Sequence, residues 1–65
     1  MEYYERMREI RKSLKWTQTK TAEKMEISQQ HYQQYERGIH EMPIRYLKTF
    51  CIITGSSADE ILEIK

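Results

Sequence analysis

Apolar side chains recur at helical spacing near the start of the chain, at Tyr3, Met7, Ile10 and Leu14. Because a helix turns by about 100° per residue, these positions form one apolar stripe with charged side chains around it. The pattern predicts a first helix over about residues 2 to 15. Trp16 follows, and we expect this lone aromatic at a helix end to close the core rather than to stack on a base.

Two short helices are predicted next, each preceded by a residue with a capping side chain. Thr17 is placed to cap a helix over residues 18 to about 25, and Ser28 is placed to cap a helix that runs to about residue 37. Gly38 is placed to end this third helix. Two short helices joined by so brief a turn form a helix-turn-helix.

The last third of the chain predicts two more helices. Pro43 suits the first turn of a fourth helix, where its missing N–H is not needed, and Gly55 ends that helix. Ser57 and Glu60 have the S-x-x-E form of a capping box before a fifth helix. The positions expected to face inward from these two helices are Ile44 and Tyr46 near the start of helix 4, then Leu47, Phe50, Cys51, Thr54, Ala58, Ile61 and Leu62.

Composition agrees with an all-α fold. The 65 residues contain one proline and two glycines, and no stretch alternates at strand period. A chain of this length has room for one domain, residues 1–65, and is too short for a large catalytic cleft. No run approaches the roughly 20 apolar residues of a membrane-spanning helix. The N-terminus is charged at once, so we expect a soluble, cytoplasmic protein.

Charge is distributed unevenly along the chain. The formal net charge is only +1, which is weak for a protein that binds nucleic acid. Residues 1 to 25 hold seven basic and four acidic side chains, whereas residues 26 to 65 hold four basic and six acidic ones. The acidic end, with Asp59, Glu60 and Glu63, should therefore face away from any phosphate backbone.

The third predicted helix carries glutamines on the side opposite its tyrosines. Helical periodicity places Tyr32 and Tyr35 on the inward side, and it places Gln30, Gln33, Gln34 and Arg37 on the outward side. A glutamine amide has a donor beside an acceptor, which suits the edge of adenine in the major groove. A merely hydrophilic helix surface is the alternative. Within a helix-turn-helix, several exposed amides on the face that meets DNA favour base reading.

The sequence resembles the lambdoid repressor and Cro type of DNA-binding domain, the XRE family of bacterial and phage helix-turn-helix proteins. The resemblance covers about residues 7 to 62. It rests on Arg11, the WTQ start of helix 2, Ala22, Ile27-Ser28, the YERG ending of helix 3, PIRYL at the start of helix 4, and GSSADEIL. It implies a compact five-helix bundle that binds operators as a dimer.

The resemblance also implies roles for particular positions. Gln29 and Gln30, at the start of helix 3, are expected to read bases. Gln33 and Gln34 lie one turn further along, within reach of bases or of the DNA backbone. The residues expected to meet phosphates are Gln18, Lys20, Arg37 and Arg45. Arg11 and Glu36 match an ion pair that ties helix 1 to helix 3, and its expected role is structural.

Two positions where family members commonly have glycine carry other residues here, Lys15 and Glu26. Glu26 must therefore either adopt an unusual backbone conformation or shift the turn. The loop over residues 39 to 42 also lacks the basic residues often found there, which removes phosphate contacts. Tyr32 and Tyr35 are larger than the aliphatic residues common at inward positions of helix 3.

The favoured hypothesis is a small transcriptional regulator that binds specific sequences of double-stranded DNA, with repression as the favoured role. A short recognition helix reads few base pairs, so a homodimer on a palindromic operator is expected. Candidate dimer surfaces are the loop after Gly38 and the exposed side of helices 4 and 5, including Ile52 or Ile53. The alternative is a protein-interaction module, such as an antitoxin or repressor partner. Near-neutral charge and the apolar loop residues Ile39 and Met42 support that alternative.

Catalysis is the least supported of the three hypotheses. His31, His40, Cys51 and the carboxylates show no metal-ligand spacing, and no glycine-rich phosphate loop is present, so neither a metal nor a cofactor is expected. No small-molecule substrate is evident. Cys51 is the single cysteine, which suits a reducing compartment, and we expect it to be a small buried hydrophobe. For His31, a helix-surface or partly packed position is favoured over a base contact.

Overall fold

The computed structural model describes residues 2–62, which contain five α-helices and no strand. The helices are α1 Tyr3–Ser13, α2 Gln18–Met25, α3 Gln29–Glu36, α4 Ile44–Thr54 and α5 Ala58–Leu62. The all-α prediction and the number of helices are confirmed. Glu63, expected to contribute to the acidic end, lies outside the described residues.

Side-chain caps fix where the short helices begin. The Thr17 hydroxyl accepts a hydrogen bond of 3.0 Å from the backbone N–H of Lys20. Ser28 accepts one of 3.1 Å from His31, and Ser57 accepts one of 3.1 Å from Glu60. Each hydroxyl satisfies a backbone donor that has no partner inside its helix, so the three predicted caps are confirmed.

The first helix is shorter than predicted. α1 ends at Ser13, Leu14 caps it, and Lys15 then turns the chain with a φ of 61°. A left-handed residue cannot continue a right-handed helix, so the helix ends one residue before Leu14 and the apolar stripe ends at Ile10. The Leu14 side chain is 39% exposed, and its placement in the inward stripe was wrong.

The core draws apolar side chains from every helix and from one loop. Its buried members are Met7, Ala22, Met25, Tyr32, Tyr35, Met42, Phe50 and Ile61. From the C-terminal helix only Ile61 is buried, because a single turn of helix presents one side to its neighbours. The predictions that Ile44, Ala58 and Leu62 face inward were wrong, since all three are exposed. Tyr32 and Tyr35 of α3 are buried in the bundle, although they are larger than the aliphatic residues common at these positions.

The turn between α2 and α3 sets the angle between these two helices. Glu26 adopts the left-handed conformation with φ 59° and ψ 38°. The N–H of Ile27 then donates to the carbonyl of Ala22 at 3.0 Å, which closes the end of α2. Of the two possibilities for Glu26, the unusual backbone conformation is the one observed.

Candidate nucleic-acid interface

The α3 helix has one buried side and one polar side. Tyr32, Tyr35 and Glu36 are 0, 4 and 1% exposed, which anchors the helix in the bundle. On the other side Gln29 and Gln30 are exposed, while Gln33 and Gln34 are half-buried. The amides nearest the start of α3 are therefore the freest to reach a ligand. Arg37 follows directly after the helix and is also exposed.

A buried ion pair holds the far end of α3 against α1. Arg11 donates to both carboxylate oxygens of Glu36, from Nε at 2.8 Å and from a terminal nitrogen at 2.9 Å. A third Arg11 nitrogen donates to the carbonyl of Trp16 at 2.7 Å. This two-point contact fixes the relative orientation of α1, the following loop and α3.

The Glu36 carboxylate keeps its charge although it is buried. Burial by itself raises the pKa of Glu36, but the hydrogen bonds from Arg11 and Gln18 outweigh burial and leave the pKa below its ordinary value. The same pairing with Glu36 raises the pKa of Arg11. Burial, followed by the nearby Glu36 carboxylate, raises the pKa of Tyr32. The ion pair is therefore formed throughout the neutral pH range.

Gln18 begins α2, but its side chain turns toward the protein. Its amide nitrogen donates to Glu36 at 3.1 Å, so Gln18 links the start of α2 to the end of α3. The amide carries a second hydrogen that this bond leaves unused. A phosphate contact by Gln18 stays a prediction, and in this structure the residue also belongs to the Glu36 network.

The three basic residues expected to meet phosphates are exposed on three different elements. Lys20 lies in the first turn of α2, Arg37 caps α3, and Arg45 lies in the first turn of α4. The guanidinium carbon of Arg45 lies 4.9 Å from the centre of the Tyr46 ring. This cation–π contact limits where the Arg45 charge can move.

An aromatic stack joins α3 to α4, and it was not predicted from the sequence. The His31 ring lies 5.4 Å from the Tyr35 ring at an interplanar angle of 16°. Tyr35 in turn packs on Tyr46 at 5.9 Å. The spacing of four residues between His31 and Tyr35 was the available signal, because such side chains are neighbours on a helix. The contact between Tyr35 and Tyr46 depends on tertiary packing.

A model of the helix-turn-helix family matches residues 7–61. The chain belongs to the helix-turn-helix family. This match confirms the resemblance noted in the sequence, and it makes the protein a DNA-binding regulator of that family. No curated protein and no solved structure gives a significant match.

The described residues of this helix-turn-helix protein show neither a metal site nor a membrane-spanning helix. Among residues 2 to 62, no group of three His, Cys, Asp or Glu side chains is placed to hold a metal ion. None of the helices within that range has the length and apolarity needed to cross a membrane. Cys51 is half-buried, and burial raises the pKa of its thiol.

An apolar groove of about 400 Å³ runs beside α4. It is lined by Ile44, Leu47, Lys48, Cys51, Ile52, Ser56, Ser57 and Ala58. Two of its apolar side chains project into solvent, since Ile44 is 71% and Ile52 80% exposed. Large exposed aliphatic side chains clustered around a groove are typical of a contact surface.

Proposed function

We propose that this helix-turn-helix protein is a small transcriptional repressor that binds a palindromic operator as a homodimer, with α3 in the major groove. The observation that supports it best is the arrangement of α3, whose buried side carries Tyr32, Tyr35 and Glu36 and whose opposite side carries the amides. A helix anchored on one side and polar on the other can enter a groove without losing its core contacts. Repression then requires only that the protein occupies the operator.

Base reading is assigned to the four glutamines, with the first pair leading. Gln29 and Gln30 are exposed at the start of α3, the end of a recognition helix that contacts base edges in this type of domain. Gln33 and Gln34 extend the same surface by one turn. Two-point hydrogen bonds from an amide to adenine supply about 1 to 3 kcal/mol of discrimination each.

Phosphate contacts are assigned to Lys20, Arg37 and Arg45, with the remaining N–H of Gln18 at the start of α2. These residues flank the glutamine surface in sequence and belong to α2, the end of α3 and α4. Contacts of this kind fix the register of the protein on DNA without reading the sequence. They also make the affinity depend on salt.

The homodimer is supported by the size of α3 and by the groove beside α4. An α3 of eight residues reads few base pairs, so useful specificity needs a second copy on a second half-site. Ile44 and Ile52 at the groove supply exposed apolar surface for a self-complementary contact. We assign this groove to a second copy of the chain. A regulator of this kind works in the cytoplasm beside its DNA.

Selection from a random pool of duplex DNA tests the proposal. The wild type should enrich a two-fold symmetric motif, and Gln30→Ala should cost about 1 to 3 kcal/mol and relax one position in each half-site. Lys20→Gln is the matched control, because loss of a phosphate contact should weaken binding evenly and leave the motif unchanged. If Gln30→Ala selected the wild-type motif with wild-type affinity, the assignment of α3 would be wrong.

A protein-interaction module is the second candidate, and the apolar groove favours it. The loop after Gly38 supports it less than the sequence indicated, because Met42 is only 8% exposed and just Ile39 is free at 59%. Salt separates the two functions. DNA binding should weaken steeply as salt rises, whereas an apolar protein contact should not.

A further inference from the structure

His31 is exposed, yet its ring is held in place. It stacks on Tyr35 with the rings nearly parallel, and Tyr35 is 4% exposed and packs on Tyr46 of α4. A surface histidine on a helix normally samples several rotamers. Here the core-packed Tyr35 ring favours one orientation, so the edge of the imidazole is presented in a fixed direction.

The position of His31 on α3 places it at the edge of the glutamine surface. It follows Gln30, and it lies one turn from Gln34 on one side and from the buried Tyr35 on the other. When a helix enters the major groove, the middle of its outward side meets base edges. The edges of that side meet the groove wall, which consists of phosphates.

The guanidinium of Arg45 lies at the other end of the stack. Arg45 lies over the Tyr46 ring, and Tyr46 packs on the same Tyr35 ring that holds His31. The aromatic pair thus contacts the permanent positive charge of Arg45 from α4 at one end and the His31 imidazole from α3 at the other. Among the described residues, no hydrogen bond from the His31 ring to another side chain is present to compete for that edge.

We propose that His31 is a further DNA-contacting residue, in which the protonated imidazole, oriented by Tyr35, meets a phosphate at the wall of the major groove. The inference rests on the proposed function, because it concerns the same α3 surface. It goes beyond that function by making the operator affinity depend on pH. Binding should be tighter when His31 carries its proton.

Other charged and titratable groups face the stack from two elements. From α4 these are Tyr46 and Arg45, and from α1 the nearby group is Tyr3. Burial, and then Tyr46, raise the pKa of Tyr35, so the stacked tyrosine stays neutral well above pH 8. Arginine keeps its charge. A histidine imidazole gains its proton near pH 6.5 in general.

The test measures affinity for one selected operator duplex across a salt series at pH 5.5 and at pH 7.5. Each phosphate contact adds about 0.9 to the slope of log affinity against log salt. The wild-type slope should therefore steepen by about 0.9 per bound protomer at pH 5.5. His31→Gln should keep one slope at both pH values, while His40→Gln, which removes the other histidine from an exposed loop, should behave as the wild type.

Circular dichroism at both pH values confirms that each variant is folded. A wild-type slope that does not change between pH 7.5 and pH 5.5 would overturn the role of His31, even with operator binding intact. A pH-dependent slope that persists in His31→Gln would overturn it as well. Absence of DNA binding by the folded wild type at both pH values would overturn the proposed function itself, so the two failures are distinguishable.

Discussion

Two residues other than glycine adopt the left-handed backbone conformation in this chain, Lys15 with φ 61° and Glu26 with φ 59°. Contact between Cβ and the neighbouring carbonyl makes that conformation cost roughly 1 to 2 kcal/mol for such residues. Both positions end a helix, and Glu26 sets the departure of α3 from α2. The domain therefore stores strain at the turn that positions α3, the helix proposed to read DNA.

Replacing Glu26 by glycine should relieve this strain. We expect Glu26→Gly to raise the free energy of unfolding by about 0.5 to 1 kcal/mol, because the relief exceeds the entropy that glycine adds to the unfolded chain. Glu23→Gly, at an exposed helical position of α2, is the control and should lower stability by about 1 kcal/mol. Urea unfolding measures both. Equal destabilisation by the two variants would show that Glu26 is unstrained.

The two glycines differ in what surrounds them. Gly38 and Gly55 have φ of 77° and 73°, but a Cβ at Gly38 would lie 2.7 Å from the Tyr4 ring, whereas one at Gly55 meets nothing within 4 Å. We expect Gly55→Ala to cost about 1 kcal/mol for its backbone alone, and Gly38→Ala to cost more. In a Tyr4→Ala background, thermal unfolding should show equal costs. A difference that survives there would contradict the steric explanation.

At the scale of whole helices, the ion pair of Arg11 and Glu36 joins α1 to α3. The hydrogen bond from Gln18 to Glu36 connects α2 to the same pair. The carboxylate of Glu36 is 1% exposed and accepts from both residues. Removing one partner of such a pair leaves an uncompensated buried charge. Two helices that carry proposed DNA contacts, α2 and α3, thus share one carboxylate that orients them against α1.

Glu36→Gln should be strongly destabilising at neutral pH and much less so in acid. The folded protein lowers the pKa of Glu36, so its stabilisation is complete above the unfolded value of about 4.3 and disappears as pH falls through the folded value. We expect a loss of about 3 kcal/mol at pH 7 that shrinks toward pH 3. Denaturant unfolding at both pH values measures this.

If Glu36→Gln fails to fold at pH 7, the double variant Arg11→Met, Glu36→Met gives the comparison. Replacing both partners removes the unpaired charge, so the double variant should be more stable than either single one. A loss for Glu36→Gln that is the same at pH 3 as at pH 7 would show that the carboxylate contributes through packing rather than through charge.

At the scale of the whole molecule, exposed apolar surface is concentrated beside α4. Ile44 and Ile52 flank the groove, on a helix whose opposite side buries Phe50. The side of α3 proposed to read DNA belongs to a different element from the groove. The proposed operator half-site contact and the proposed contact with a second copy would therefore use separate surfaces, as a symmetric dimer requires.

A charge placed in the groove should separate the copies. We expect Ile52→Glu to weaken self-association by at least about tenfold, since a charged side chain would replace an apolar one in the contact and would have to be desolvated. The fold should be retained because Ile52 is 80% exposed. Sedimentation equilibrium measures the effect, and Leu14→Glu, at an exposed apolar residue outside the groove, is the control. Unchanged association of Ile52→Glu would exclude this face from the dimer.

The sequence determined the helices because their signals are local. The hydroxyls of Thr17, Ser28 and Ser57 cap helices within three residues of themselves, and Tyr32 and Tyr35 repeat on one side of α3. A glutamine surface opposite those tyrosines follows from the same periodicity. Five helices, the helix-turn-helix and the polar side of α3 were therefore predictable.

Tertiary packing decided which neighbour each side chain meets. The periodicity of single helices predicted an inward Leu14 and Leu62, but the left-handed turn at Lys15 and the single turn of α5 leave both exposed. Gln18 reaches Glu36 across 18 positions of the chain, and the His31 stack extends to Tyr46. Such contacts depend on the angles between helices, which no pattern within one helix specifies.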